Sequence, residues 1–328
     1  LPLSSGNNYA ACTVGLKNIY GTIELSDKVI RSSANNAGGV VSVLSDEMNG
    51  LLEAAKYNFS RMLWQNGNGT IATLDTSIFT PEATCFMVAD AKALSIGMIV
   101  DLYTSAGAAV ASQLRITNID LGQNLVNFTP ALESSQLTGL ANATLTLQQS
   151  KGAEINGIPY IFGDGSDFYG MTTASVPHLL GRSFTCTTPK PFSIKRMQEI
   201  VDEIESAHGT APNMIICSYQ VRRKYLELLA DTRSNIDYLN VDGGFKAVSF
   251  NGIPVIADKF CGKQQMYFLN TNDFKLAQLC DWQWLEGENG NILKQIDRKP
   301  AFMATLVKYA NLICTRPFAQ ARLSSIII

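Results

Sequence analysis

The sequence has few charged residues and almost no net charge. Asp, Glu, Lys and Arg make up 16% of its 328 residues, against about 25% in an average globular protein, while 46% of the residues are hydrophobic. The formal net charge is −2 and no Lys/Arg-rich block occurs, which argues against a dedicated nucleic-acid-binding protein but leaves weak, non-specific contact open. Sparse charge indicates either that much of the surface contacts other protein or that the core is large.

Paired cysteines and long apolar runs are also missing. The cysteines are Cys12, Cys85, Cys186, Cys217, Cys261, Cys280 and Cys314. Their scatter predicts reduced, mostly buried thiols made in a reducing cytoplasm, and not a zinc site or a disulfide framework. No apolar run approaches the ~20 residues that span a bilayer, so no membrane contact is predicted. The first residue is Leu1, which suggests that the chain begins after a cleavage or inside a longer gene product.

Residues suited to catalysis are scarce. His178 and His208 have no Ser, Cys or carboxylate at motif spacing, and nucleophile elbows, phosphate loops and zinc-protease helices are absent from the sequence. The best candidate metal loop is "GDGSDFYG", with Asp164, Ser166 and Asp167, although its pattern is more typical of a plain turn. We therefore predict no catalytic, cofactor or metal site. An enzyme would need a site assembled from distant residues.

The first part of the chain predicts a strand followed by a long helix. Residues 9–31 alternate apolar and polar residues, which is typical of one long, bent strand. From Ser45, a suitable N-cap, apolar residues recur with helical spacing until "QNGNG" at 65–69. About 20 helical residues make a rod of about 30 Å.

The rest of the chain changes character twice. Residues 84–150 contain short apolar segments separated by Gly, Asn, Asp and Ser, which predicts a small β-sandwich or β-barrel inserted into a larger domain. Ser193 and Gly209 bracket a predicted helix. A short strand at 213–218 then leads to a helix capped by Ser218, and strands dominate the remainder.

One tetrapeptide occurs twice, as Asn156-Gly157-Ile158-Pro159 and as Asn251-Gly252-Ile253-Pro254. The flanking sequences do not match, which argues against an internal duplication. Asn-Gly is the preferred centre of a type I′ hairpin turn, and a proline two residues later suits a strand leaving the turn. We therefore predict the same turn at both places.

The order of these segments resembles the major capsid proteins of tailed bacteriophages, which have the Hong Kong 97-like fold. The resemblance rests on "LWQNGNGTIATL" (63–74), "APNMIICSYQVRRKYLELLADT" (211–232), "FNGIPVI" (250–256) and "RKPAFMATLVKYANLICTRPFA" (298–319). It covers most of residues 9–75 and 190–328. Members of this family usually carry more chain before the first strand than is present here.

The resemblance implies an α+β fold with a long spine helix, an extended loop, peripheral and axial domains, and the inserted β domain. The expected divisions are an arm or extended-loop strand (1–41), the spine helix and peripheral domain (42–83), the insertion (84–150), a peripheral return (151–190), an axial domain (191–285) and peripheral terminal strands (286–328).

The implied function is a structural one, in a virion. The chain would assemble with itself into hexamers and pentamers of an icosahedral shell around double-stranded DNA, after synthesis in the cytoplasm of a bacterial host. A decoration protein on 84–150, a portal, a scaffold and a maturation protease are further possible partners. Arg233, Asp237 and Asp242 are expected to make ring contacts at the capsomer axis. An encapsulin-type shell around cargo, or an enzyme with a dispersed site, are the alternatives.

Overall fold

The computed structural model describes residues 12–29, 40–77, 79–163, 167–186, 191–231, 238–241, 245–287 and 290–327. Its longer helices are α1 (Val40–Met62), α2 (Ile194–His208) and α3 (Tyr219–Asp231). Its strands are β1 (Lys17–Ser26), β2 (Thr70–Thr73), β3 (Cys85–Met87), β4 (Ile99–Tyr103), β5 (Ala109–Asp120), β6 (Leu125–Thr129), β7 (Thr144–Leu147), β8 (Asp167–Phe168), β9 (Met171–Thr172), β10 (Arg182–Thr185), β11 (Met214–Cys217), β12 (Tyr238–Val241), β13 (Phe245–Phe250), β14 (Ile253–Ala257), β15 (Met266–Leu269), β16 (Phe274–Trp284), β17 (Lys294–Gln295), β18 (Ala301–Cys314) and β19 (Ala321–Ser324). This mixture confirms the predicted α+β class.

The first sheet joins the start of the described chain to its end. β18 lies between β1 and β16, and β17 also pairs with β18. β1 is antiparallel to β18 from Lys17, opposite Ala310, to Ser26, opposite Ala301. The predicted strand over 9–31 was therefore too long. Asp27 N still donates to Pro300 O at 2.8 Å, but Pro300 has no amide hydrogen with which to return a hydrogen bond. The ladder between β1 and β18 therefore ends there.

Helix α1 packs across this sheet. Its 23 residues make a rod of about 34 Å, and it is already helical at Val40. The predicted start at Ser45 was therefore wrong, because a serine inside a helix costs less than about 1 kcal/mol and does not end it. The sheet approaches the helix closely at Gly21, where a Cβ atom would lie 2.9 Å from Cδ1 of Leu51.

Six strands form a closed barrel with a core of its own. The order is β2-β7-β4-β5-β6-β3, all antiparallel. An antiparallel bridge between Leu74 and Val88 joins the two outer strands, as do hydrogen bonds from Ala89 N to Thr73 O (2.8 Å) and from Asp75 N to Met87 O (3.0 Å). β2, at 70–73, thus belongs to the barrel together with strands of the 84–150 region.

A seven-stranded mixed sheet holds α2 and α3. Its order is β10-β19-β15-β11-β14-β13-β12, so β10 and β19 join it from outside 191–285, while β16 belongs to the first sheet. The predicted caps are confirmed. Ser193 Oγ accepts a hydrogen bond from Arg196 N (3.1 Å), Gly209 has φ +67°, and Ser218 Oγ accepts from Val221 N (3.3 Å).

The repeated tetrapeptide adopts two different structures. Asn251 and Gly252 have φ +50° and +79° and connect β13 to β14, so the predicted type I′ hairpin is confirmed there. At the first copy the prediction was wrong. Gly157 has φ −80° and starts a 3₁₀ turn over 158–162.

Gly157 instead lies against the end of α1. A Cβ atom there would lie 2.5 Å from the carbonyl oxygens of Met62 and Leu63, and Ile158 N donates to Leu63 O at 2.7 Å. The first copy therefore satisfies a carbonyl that the helix end leaves without an intrahelical donor.

All seven cysteines are free thiols. Cys186, Cys217, Cys261 and Cys314 are buried, as their scatter predicted. Burial raises the pKa of the Cys217 and Cys314 thiols to about 12, which keeps them protonated and unreactive near neutral pH.

Candidate subunit interface

The first sheet carries several large hydrophobic side chains that are exposed to solvent. Six large apolar side chains on or beside it are exposed, and we call them the exposed apolar set. They are Leu16, Tyr20, Leu276, Leu279, Leu285 and Met303. Tyr20 is 64% exposed and Leu279 is 76% exposed, so these two extend well into solvent. By the strand register, Leu276 lies on the side of Lys308 and Tyr20 on the opposite side. Exposed apolar side chains that adjoin one another on one face are typical of a protein–protein contact.

The strand geometry explains why Tyr20 is exposed. Gly21 faces α1, and successive side chains of a strand point to opposite faces, so Tyr20 lies on the face away from the helix. Its partner across the ladder is Val307. Met303, opposite Glu24, lies on the same outer face. Turning this face inward would expose Gly21 and break the packing on α1.

Leu279 is exposed because it is the extra residue in a bulge. The pairing of β16 with β18 shifts between Gln278 and Cys280, so Leu279 has no partner in the ladder. Bulged strands bend and redirect a side chain, and here the redirected side chain is a leucine. The local sequence "KLAQLCDWQW" does not show where a bulge falls, so Leu279 was not predicted as a contact.

Both outer strands of this sheet are open within the described chain. β1 and β16 each pair with β18 on one side only. An open edge offers unpaired backbone N–H and C=O groups to another chain. A groove of about 620 Å³ follows β1, between residues 16–22 and the barrel end at 147–150. Apolar side chains, open edges and a groove therefore adjoin one another.

The helix side of the sheet is held by a buried lysine. Lys308, 4% exposed, donates to Gln278 Oε1 at 3.0 Å and to Asp281 Oδ1 at 2.5 Å. Its ammonium also lies 5.2 Å from the ring centroid of Phe59, in α1, and 5.5 Å from that of Trp282. The hydrogen bond from Lys308 lowers the pKa of the Asp281 carboxyl below its usual value. These contacts fix β16 and β18 against the helix and keep the outer face in place.

The predicted contact residues at the capsomer axis lie outside the described residues. Arg233, Asp237 and Asp242 fall in 232–237 and 242–244. β12 lies between these two segments in the sequence, and β13 follows the second one. Both strands are at one edge of the seven-stranded sheet. The role given to these three residues stays a prediction.

Of the candidate chemical residues, the structure describes Asp167, His178 and His208. Asp164 and Ser166 lie outside the described residues, and Asp167 is in β8. His178 is an exposed residue of a 3₁₀ turn, and His208 ends α2. Among the described residues, no three His, Cys, Asp or Glu side chains are grouped as a metal site would require. None of the described helices has the length and apolar composition needed to cross a bilayer.

The fold is similar to that of a phage capsid chain. A chain from the capsid asymmetric unit of cyanophage A-1(L) matches with a TM-score of 0.55 and 11% identity, over 94% of this chain and 77% of that one. This likeness confirms the phage capsid fold that the order of motifs predicted. No protein-family model matches the sequence, and no curated protein matches it significantly.

Two further likenesses are weaker. A chain from the satellite phage P4 procapsid with its size determination (Sid) protein gives a TM-score of 0.43 and 10% identity, over 100% of this chain and 82% of that one. A chain of the holo-SrpI encapsulin complex from Synechococcus elongatus PCC 7942 gives 0.35 and 13%, over 44% of this chain and 53% of that one. The present chain thus matches about half of the encapsulin chain. Scores at this level do not define a shared fold.

Proposed function

We propose that this protein is the major capsid protein of a tailed, double-stranded DNA phage. The observation that carries the proposal is the capsid fold, matched over 94% of the chain, together with the exposed apolar set on a sheet with two open edges. Copies assemble into hexamers and pentamers of an icosahedral shell. The work of the protein is mechanical, and it needs no catalytic residue or cofactor.

The proposed domains of the capsid protein correspond to the sheets of the structure. The peripheral domain consists of α1 and the first sheet, including the terminal strands within 286–328. The axial domain, about 191–285 without β16, contains α2 and α3, and Arg233, Asp237 and Asp242 are its proposed contact residues at the ring axis. The region 84–150 is an insertion on the outside of the shell. Within the segment 1–41, β1 belongs to the first sheet, and the residues outside β1 and α1 are the proposed arm and loop that reach a neighbour.

Assembly is driven by buried area. A shell needs several different faces on each subunit, because contacts within a ring are heterologous and ring-to-ring contacts add others. Burying about 1,000 Å² of apolar surface at about 25 cal/mol per Å² gives about 25 kcal/mol. About 4–15 kcal/mol of that gain is lost to association entropy. Sparse surface charge favours this burial, because few charges have to be desolvated.

The proposed surroundings are those of a virion. The chain is made in the cytoplasm of the bacterial host and ends in the capsid, with no membrane contact. A decoration protein on the insertion, a portal, a scaffold and a maturation protease are proposed partners. The net charge of −2 suits non-specific contact with packaged DNA, since a strongly basic wall would hold the DNA tightly.

Purifying the particles that the chain forms in bacteria, and measuring their content, tests this function. Co-expression with the neighbouring genes of its source is expected to give closed shells that protect double-stranded DNA from nuclease. Closed shells that hold only protein cargo would favour the encapsulin-type alternative. Small oligomers that turn over a substrate, without shells at any concentration, would contradict the proposal.

A further inference from the structure

A small cleft lies where the end of α1, the barrel and the seven-stranded sheet meet. Its volume is about 190 Å³. Its lining includes Arg61, Trp64, Asp90, Lys92, Lys259 and Phe260. The end of α1, the barrel and the loop after β14 thus all contribute residues to the cleft.

Positive charge is in excess at this cleft. The ammonium groups of Lys92 and Lys263 lie 3.6 and 3.7 Å from the carboxylate of Asp90. Lys259 donates to the hydroxyl of Tyr57 at 2.7 Å. Two lysines therefore flank the carboxylate of Asp90, and a third, Lys259, lines the same cleft. Arg61 adds no net charge, because Glu154 neutralises it.

The lysine donors are largely unused by the protein. Both ion pairs of Asp90 are longer than a hydrogen bond, and within the described chain the Lys92 ammonium has no hydrogen-bond acceptor. Lys263 donates to Ala89 O at 3.0 Å, and Lys259 donates to Tyr57. Each ammonium has three hydrogens to donate, so several remain for a ligand.

The positions of these lysines are fixed by their neighbours. Tyr57 accepts from Lys259 and donates its own hydrogen to Lys92 O at 3.3 Å, which ties the two lysine-bearing segments together. The Lys259 ammonium also lies 4.7 Å from the ring centroid of Tyr57 and 5.4 Å from that of Phe260. The cleft is therefore prepared before any ligand enters.

We propose that this cleft binds a phosphate-type oxyanion. Lys92 and Lys259 in the lining, with Lys263 beside Asp90, outnumber the one lining carboxylate, so the cleft is net positive and suits the charge of −1.5 to −2 that a phosphate monoester carries near pH 7. The space is ample for one tetrahedral anion. The anion would accept hydrogen bonds from Lys92 of the barrel and Lys259 of the seven-stranded sheet, and so hold the two in a fixed relation. Free phosphate and a nucleic-acid backbone share this chemistry.

Titration of the full-length protein with inorganic phosphate at constant ionic strength tests the proposal. Binding is followed by calorimetry and by the fluorescence of Trp64, which lines the cleft, with Trp282 and Trp284 replaced by Phe. Lys92→Met and Lys259→Met are each expected to weaken binding at least tenfold. Lys224→Met removes a lysine that pairs with Glu227 on α3, and is the matched control. It should change the affinity less than twofold.

A variant that removes a negative charge distinguishes an effect of charge on phosphate binding from an effect of misfolding. Asp90→Asn removes the one carboxylate and is expected to tighten phosphate binding severalfold, which a merely structural role would not do. Displacement of phosphate by a short DNA duplex would identify a phosphodiester backbone as the ligand source, and no displacement would identify free phosphate. Absence of phosphate binding, or equal weakening by Lys224→Met and Lys92→Met, would overturn the proposal.

Discussion

Arg61 and Glu154 form a two-pronged ion pair in the interior of the protein, with each side chain only 1% exposed. Arg61 is in the last turn of α1, and Glu154 follows the last strand of the barrel. Arg61 Nη1 donates to Glu154 Oε2 at 3.1 Å and Nη2 donates to Oε1, while Ser150 Oγ donates to Oε1 at 3.2 Å. The pair fixes the barrel connection to the helix end.

Removing one partner of this pair should cost much more than removing both. Glu154→Gln leaves a buried guanidinium without its counter-charge, so we expect a loss of about 3–5 kcal/mol in the free energy of unfolding. The double variant Arg61→Met/Glu154→Met should recover most of that loss. Glu203→Gln breaks the partly exposed Arg182–Glu203 pair and is the control, with an expected effect of at most about 1 kcal/mol. Urea unfolding measures all of these, and equal losses for Glu154→Gln and Glu203→Gln would contradict the expectation.

Gly157 should tolerate no side chain. A Cβ atom there would lie 2.3 Å from Gln65 O, so Gly157→Ala must push the 3₁₀ turn away from the end of α1. We expect a loss of more than about 2 kcal/mol, typical of overpacking against fixed atoms. Gly50→Ala is the matched change, because Gly50 lies inside α1 and a Cβ atom there would have nothing within 4 Å. It should stabilise the helix by up to about 1 kcal/mol. Thermal unfolding would show melting temperatures that shift in opposite directions, and a normal melting temperature for Gly157→Ala would refute this prediction.

The contact between Lys308 and Asp281 predicts a dependence of stability on pH. The pKa of Asp281 is lowered in the folded state, so its contribution is complete above the unfolded value of about 3.9 and is lost as the pH falls through the lower folded value. In Asp281→Asn, the free energy of unfolding should fall less steeply as the pH is lowered through that acidic range. Asp297→Asn, at an exposed position, is the control. Identical pH profiles for the wild type and Asp281→Asn would argue against the coupling.

The exposed apolar set should matter for assembly and not for folding. Tyr20→Ser and Leu279→Ser remove side chains that solvent already covers, so we expect changes in the free energy of unfolding below about 0.5 kcal/mol. In a contact between subunits, each variant loses about 1–2 kcal/mol of the free energy gained by burying the apolar side chain. The protein concentration needed for assembly should therefore rise at least tenfold. Ile96→Ser, on the barrel and 66% exposed, provides the comparison for this surface. Light scattering against concentration measures the threshold. An equal rise for Ile96→Ser would show that the sheet has no special part in assembly.

Local features were predictable from the sequence, and long-range ones were not. Ser193, Ser218 and Gly209 act within one turn of their own helices, so neighbouring residues were enough to predict them. The pairing of Arg61 with Glu154 joins residues 93 positions apart, and no local pattern indicates it. Leu279 became a candidate contact only through the register shift of β16 against β18.

The two copies of Asn-Gly-Ile-Pro also show that a local sequence predicts structure only where long-range contacts do not oppose it. Asn251 and Gly252 connect two strands that pair with each other, so their intrinsic turn preference is realised. Asn156 and Gly157 instead lie against the end of α1, where Asn156 N donates to Asn311 Oδ1 at 2.9 Å. Tertiary contacts at the first copy override the preference for a type I′ turn.

Electron cryomicroscopy of the purified chain, over a range of concentrations, shows whether the protein assembles into a shell through the first sheet. We expect closed, curved shells in which neighbouring subunits cover Tyr20 and Leu279. A protein that stays monomeric at every concentration, or shells in which both side chains remain in solvent, would contradict it.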